Sequence, residues 1–448
     1  MDSQFAKYLE AARETDPIKC VGYVFRIQGL LIESHGPQAI MGEVCIIYLR
    51  NPAREIRAEV VGIAGNGVVQ LMCYDETTGI EAGCRVKATG SLLSVACSPL
   101  LLGRVLGPTG EPIDGKGHIA AASNYPAITA PPPALSRPSI KKRMVTGIRA
   151  IDALLATGRG QRLGVFAGSG VGKSTFQGMM ARNTQADVNV IALIGERGRE
   201  LNDFIENNLG EEGLSRSVLV VATGDQSALA RLRGASIATA CAEYFRDMGM
   251  DVLLLFDSVT RFARAQREIA LSTGEAPAQR GYTPSVFDAL PKLLERSGNS
   301  DKGSITAFYT VLVDGDDMDE PVSDNVRGIL DGHIVLSRRF AARGHYPAID
   351  VLQSISRLSN DVSGEQTKKA AGALRRLISD YNDVEDMINA GAYKTGSSQA
   401  VDAAIAKHDE IEAFLMQQTN EKSTLAETLA ALEKITGISI PDEERMSV

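Results

Sequence analysis

The stretch RLGVFAGSGVGKSTFQGMMARNTQ constrains this chain more than any other. A short apolar run, RLGVF, leads into nine residues, AGSGVGKST, at positions 167–175. Gly168, Gly170 and Gly172 alternate with Ser169 and Val171, and Lys173, Ser174 and Thr175 follow. Glycines let the backbone curl until several N–H groups point inward. A phosphate in that nest lies at the positive end of the next helix. Strand, glycine-rich loop, Lys-Ser, helix is the phosphate-loop arrangement. In it Lys173 reaches the β- and γ-phosphates, and the Ser174 hydroxyl is a ligand for Mg²⁺. The usual pattern opens with glycine, whereas Ala167 stands there in this chain.

A phosphate loop needs a sheet to carry it. RLGVFA, VNVIALIG, SVLVVAT, DVLLLFD and SITAFYTVLV are near-continuous apolar runs, and helical segments separate the first four. That pattern predicts a mostly parallel sheet covered on both faces. At 448 residues the chain exceeds one ordinary core, so two or three domains are expected. Residues 20–96 read as short β-branched strands broken by Gly or Asn, the pattern of a small barrel. ITAPPPALSRP, residues 128–138, is too proline-rich for helix or strand. After about residue 365, EQTKKAAGALRRLISDYNDVEDMI and SSQAVDAAIAKHDEIEAFLMQQT carry helical period. The divisions are therefore 1–18, an amphipathic helix with Phe5, Tyr8, Leu9 and Ala12 on one stripe; 19–97, a barrel; 98–364, the α/β domain; and 365–448, a helical domain.

Composition narrows the function classes. A formal charge of −8 argues against a nucleic-acid binder. No run of about 18 apolar residues is present, and the N-terminus has no apolar signal core, so the cytoplasm is the expected compartment. Cys20, Cys45, Cys73, Cys84, Cys97 and Cys241 form no CxxC pair, and the histidines do not cluster, so no protein-only metal site is expected.

Three further residues stand where phosphate chemistry would use them. Asp257 ends the apolar run DVLLLFD, where a carboxylate holds Mg²⁺ through water or caps a turn. Glu196, in LIGERGRE, follows another strand; it either polarises an attacking water or belongs to a surface salt-bridge cluster with Arg197. Arg357 ends DVLQSISRL, and is either an arginine finger or a structural arginine. VDGDDMDEP, residues 313–321, is an acidic turn: counted as a calcium loop it has Asp319 where glycine is required and Asn325 where glutamate is.

Together these motifs resemble the flagellum-specific ATPases of the type III export apparatus, which are similar to the catalytic subunit of the rotary ATP synthase. The likeness is densest in TGIRAIDALLATGRGQRLGVFAGSGVGKST, IGERGRELNDFIENNLG, DSVTRFARAQREIALSTGEAPAQRGYTPSVF, GSITAFYTVLVDGDDMDEPVSDNVRGILDGHIVLSRR and GHYPAIDVLQSISR. It implies an N-terminal β-barrel, a central RecA-like ATPase domain and a helical C-terminal domain. It also implies a homohexamer with Mg²⁺-ATP at the subunit interfaces. Residue by residue, Lys173, Ser174, Glu196, Arg197 and Asp257 match the family's site, as does Arg261 of TRF. Arg357 matches a finger entering the neighbour's site, and Tyr346 an aromatic packing on adenine. Asp316, Asp317 and Asp319 correspond to an acidic loop facing the central shaft.

The implied partners are a stator-like regulator at the N-terminal helix, a coiled-coil stalk in the pore, the membrane export gate, and export substrates or chaperones. Membrane association would be peripheral at most, at the base of the export apparatus. Phe5, Tyr8 and Leu9 contact the regulator or pack on their own barrel. The virulence-type secretion ATPase shares every catalytic motif. An RNA-translocating hexamer would need a basic, aromatic barrel, whereas this one offers mainly Tyr23, Phe25, Tyr48 and Tyr74. An inactive ring subunit would have no use for Glu196.

Overall fold

The computed structural model describes residues 21–50, 52–313, 315 and 317–446. The stripe Phe5, Tyr8, Leu9 and Ala12, together with Cys20, Asp314 and Asp316, lies outside the described residues.

Six strands close a barrel: β1 (Val21–Gln28), β2 (Leu31–His35), β3 (Glu43–Tyr48), β4 (Glu55–Ala64), β5 (Val68–Cys73) and β6 (Arg85–Leu92). Their order around it is β1-β2-β5-β4-β3-β6. Alternation in β3 turns Cys45 and Ile47 inward, where they meet Val24, Ile32, Ile56, Leu71 and Val86. The β4–β5 turn needs left-handed backbone at Asn66 and Gly67, with φ of 62° and 72°. The Gly-Asn-Gly sequence there supplies residues that tolerate it. The β3 sequence CIIY does not by itself distinguish a strand from a buried helix.

The second unit is built on a larger sheet. Its strands are β7 (Arg104–Leu106), β8 (Arg162–Ala167), β9 (Val188–Ile194), β10 (Ser217–Ala222), β11 (Asp251–Asp257), β12 (Ser304–Leu312), β13 (Gly332–Leu336) and β14 (Ile349–Ser356). They run in the order β14-β13-β8-β12-β11-β9-β10-β7. All pairings along that path are parallel except the edge pair β13–β14. Every residue of β9 and β10 is buried, as two-sided cover demands. The five apolar runs expected as strands are β8 to β12; β7, β13 and β14 extend the sheet at its edges.

Helices α1 (Lys173–Asn183), α2 (Ala228–Asp247) and α3 (Val259–Ser272) follow β8, β10 and β11. The C-terminal region contributes α4 (Glu365–Asn382), α5 (Gln399–Leu415) and α6 (Leu425–Thr436). Ile411, Phe414, Leu425 and Leu429 of α5 and α6 share one core with Phe176, Met179 and Met180 of α1. The proline-rich segment contains only a single 3₁₀ turn, Ala134–Ser136. The described cysteines Cys45, Cys73, Cys84, Cys97 and Cys241 are buried free thiols. No described helix is long and apolar enough to cross a membrane.

One buried ion pair fastens the start of that segment. Arg296 Nε and Nη2 donate to Glu243 Oε1 and Oε2 at 2.9 and 2.6 Å. Arg296 Nη1 donates to the Ala127 carbonyl at 2.7 Å, and Thr129 Oγ1 donates to Glu243. Both charged residues are almost fully buried. Arg296→Met leaves the Glu243 carboxylate uncompensated and should cost about 3–5 kcal/mol, read by chemical denaturation. The double variant Arg296→Met/Glu243→Gln should recover part of the loss. An unchanged single variant refutes the fastening role.

Candidate active site

The glycine loop leaves the C-terminal end of β8, between β12 and β13. Val171 is buried in the core and anchors the loop, while Ser169, Gly170 and Ser174 are exposed. Gly170 and Gly172 are left-handed, at φ of 79° and 83°. Gly172 is also the N-cap of α1, so free N–H groups of the first helical turn open onto the loop. Helix positive end and lysine therefore face the same space.

Lys173 Nζ donates to Asp257 Oδ1 at 2.8 Å and to Glu196 Oε1 at 2.9 Å. The three residues come from the C-terminal ends of β8, β11 and β9, which a parallel sheet brings to one edge. Burial opposes the Lys173 charge, but Asp257 and Glu196 outweigh it and hold the ammonium above its ordinary range. Burial pushes the Asp257 carboxyl above the usual carboxylate range, with Lys173 opposing and Glu196 adding. Both groups thus hold their protons more tightly than in water.

A narrow cleft opens on this cluster, lined by Ser174, Gln177, Glu196, Arg197, Thr223 and Asp257 among others. Gln177 hydrogen-bonds Asp257 and donates to Thr310 Oγ1 at 3.0 Å, steadying the carboxylate from below. Glu196 is fixed through its backbone: Gly224 N–H donates to its carbonyl at 3.0 Å, and Gly195 N–H to the Ala222 carbonyl at 2.6 Å. Arg261 packs under the left-handed Gly195, where an added Cβ would lie 2.9 Å from its own Cβ and Cγ. Its Nε is buried without a hydrogen-bond partner among the described residues.

Three sequence candidates stand differently. Arg197 is 73% exposed and pairs with Glu200 at 3.5 Å, so it holds neither Glu196 nor the loop. As the exposed N-cap of a short helix, Gly198–Asp203, it pairs with its i+3 neighbour. The Tyr346 ring lies against the loop, where a Cβ on Gly172 would come within 3.0 Å of its Cε1. Arg357 is at the other end of the sheet. Its N–H donates to the Asp331 carbonyl, and Asp331 N–H donates to the Arg162 carbonyl. Arg162 starts β8 and Ala167 ends it. Strand geometry puts roughly 17 Å between those ends, so Arg357 does not reach its own phosphate loop.

Arg338 was missed. A Cβ on Gly168 would lie 2.6 Å from Arg338 Nε, so this guanidinium covers the loop and would have to move aside for any larger residue there. Its signal was weak, since it follows a strand far along the chain that borders β8 only in space.

These contacts separate two glycine roles. Gly170→Ala meets no neighbour and should suffer only backbone strain, about 1–2 kcal/mol. Gly172→Ala meets that strain and the Tyr346 ring as well. Affinity for a fluorescent ATP analogue should fall for both and clearly further for Gly172→Ala. Equal losses would remove Tyr346 from the loop's surroundings.

Comparison with known proteins agrees with this geometry. Residues 147–356 match the ATP synthase alpha/beta family nucleotide-binding domain, and residues 24–90 its beta-barrel domain. Residues 363–434 match the T3SS EscN ATPase C-terminal domain. The flagellum-specific ATP synthase of Treponema pallidum is 58% identical, across 97% of this chain and 97% of its own length. That of Bacillus subtilis is 52% identical, across 96% and 98%. The type 3 secretion system ATPase of Xanthomonas euvesicatoria is 49% identical, across 93% and 94%. Among solved structures, the assembled ATPase EscN from enteropathogenic E. coli superposes with a TM-score of 0.87 at 42% identity, covering 93% of this chain and all of that one. Sequence, fold and site geometry agree: the chain belongs to the flagellum-specific ATPases of the type III export apparatus, within the ATP synthase alpha/beta family.

Proposed function

We propose that this type III export ATPase hydrolyses ATP at a site shared between two subunits of a ring, with Glu196 as base and Arg357 supplied by the neighbour. The observation that carries the reading is the Lys173 ammonium held between Glu196 and Asp257 at the mouth of the glycine loop.

The loop N–H groups and the start of α1 bind the ATP phosphates. Lys173 turns its protons from the carboxylates to the β- and γ-phosphate oxygens. Glu196, released from Lys173, accepts a proton from the water that attacks the γ-phosphorus. The P–O bond to ADP breaks and phosphate leaves. Ser174 and Asp257 offer the hard oxygen donors that suit Mg²⁺, and both line the same cleft. That ion would neutralise charge on the phosphate oxygens. Tyr346, beside Gly172 and 39% exposed, is the aromatic face offered to the base.

The far placement of Arg357 supports action in trans. Its guanidinium is exposed and donates to the Arg327 carbonyl at 3.3 Å. A homohexamer closes each site with the next subunit's Arg357. The relative EscN was solved assembled and also with its central stalk EscO, which supports the ring and a coiled-coil stalk here. The exposed Asp317 and Asp319 are candidates for the face toward that stalk; Asp317 bonds Arg280 at 2.9 Å. Hydrolysis would drive unfolding or delivery of export substrates at the membrane export gate, with a stator-like regulator on residues 1–18.

Glu196→Gln should bind Mg²⁺-ATP normally yet hydrolyse it about 10²-fold or more slowly, as loss of a general base allows. Parallel loss of binding would make Glu196 structural. Arg357→Ala should bind ATP but lose roughly 10³-fold or more in turnover, the scale of arginine fingers. Mixing the two inactive variants restores interfaces with both groups intact, so activity should return in mixed rings. Normal turnover by Arg357→Ala alone sinks the finger assignment.

A further inference from the structure

A short loop ties the nucleotide side of the sheet to the C-terminal helices. Residues 416–424 join α5 to α6, and Gln417, near their start, is only 4% exposed. Its backbone N–H donates to the Tyr346 carbonyl at 2.8 Å. Its side chain is satisfied at both ends. Nε2 donates to the Gly147 carbonyl at 2.8 Å and to the Glu421 carbonyl at 3.0 Å, and Oε1 accepts from Arg149 N–H at 3.0 Å. Asn183, the last residue of α1, donates to the Glu421 carbonyl at 3.2 Å. The loop therefore touches both the helix that opens at Lys173 and the residue that covers Gly172.

A second contact acts on the same segment. His345 is buried, and its Nδ1 lies 2.9 Å from Glu412 Oε2 on α5. Tyr346 itself is partly exposed, so its ring is not caged by packing. Its carbonyl and the side chain of the neighbouring His345 are both held by the C-terminal region, while the His345 N–H donates to the Phe340 carbonyl. A fully satisfied buried amide rigidifies what it joins, whereas an apolar residue there would strand the Arg149 N–H and leave the Gly147 carbonyl with the longer 3.4 Å bond from Ser423 N–H.

We propose that Gln417 and Glu412 are positioning residues for the nucleotide, acting through Tyr346. The C-terminal region thereby helps to set nucleotide affinity. This rests on the reading of Tyr346 as the base contact.

The test measures the Kd of a fluorescent ATP analogue with Mg²⁺ on the full chain, alongside KM and kcat. Gln417→Leu should raise Kd and KM about tenfold, with kcat within about twofold. Glu412→Ala should shift Kd in the same direction by a smaller factor; its half-exposed site makes it the safer variant should Gln417→Leu fail to fold. Tyr346→Ala should weaken binding by itself, and either substitution added to it should weaken binding no further. Full additivity on the Tyr346→Ala background overturns the proposal, as does normal affinity in both single variants. Normal affinity in Tyr346→Ala overturns the base-contact reading, and the proposal with it; that single variant tells the two failures apart.

Discussion

One ammonium between two carboxylates organises this protein. Glu196 and Asp257 would repel each other across a partly desolvated cleft, and Lys173 makes their closeness tolerable. None of the three is near another in sequence. Only strands lying side by side and pointing the same way bring their ends to one edge. Such a sheet has no solvent face, so β8 to β12 must be apolar throughout and helices must cover both sides. The buried runs and the covering helices are consequences of where those three side chains have to meet.

The same sheet keeps Arg357 away. Strand β14 runs antiparallel to β13, so its last residues return to the end of the sheet where β8 begins. An arginine held there by the backbone of Asp331 faces outward at the edge strand. Gathering and separation follow from strand direction alone. A site completed by a neighbour is a natural use of that geometry, because it makes turnover depend on assembly.

The core continues past the sheet. Phe414 and Leu429 pack in one cluster with Met179 and Met180, so α5 and α6 are extensions of the nucleotide domain's own interior. The loop between them reaches Tyr346, Gly147 and the end of α1 through buried hydrogen bonds. Movement of those helices therefore has a direct path to the glycine loop.

Lys173, Ser174, Asp257 and Glu196 were legible in the sequence because each sits at the end of an apolar run, and strand, loop and helix grammar is local. The barrel was legible for the same reason, except β3, whose apolar run lacks a clear period. Arg338 over Gly168, Gln177 behind Asp257 and Gln417 under Tyr346 were not, because nothing near them in sequence marks their partners. Arg197 was placed at the site by its position after Glu196 and by the family likeness; in the structure it lines the cleft and pairs with Glu200 rather than with Glu196. The chain's sequence determined which chemistry is present: a phosphate nest, a cation, two carboxylates, an aromatic and a distant arginine. Tertiary structure alone decided which of these meet, because strand order and direction set distances that no linear spacing records.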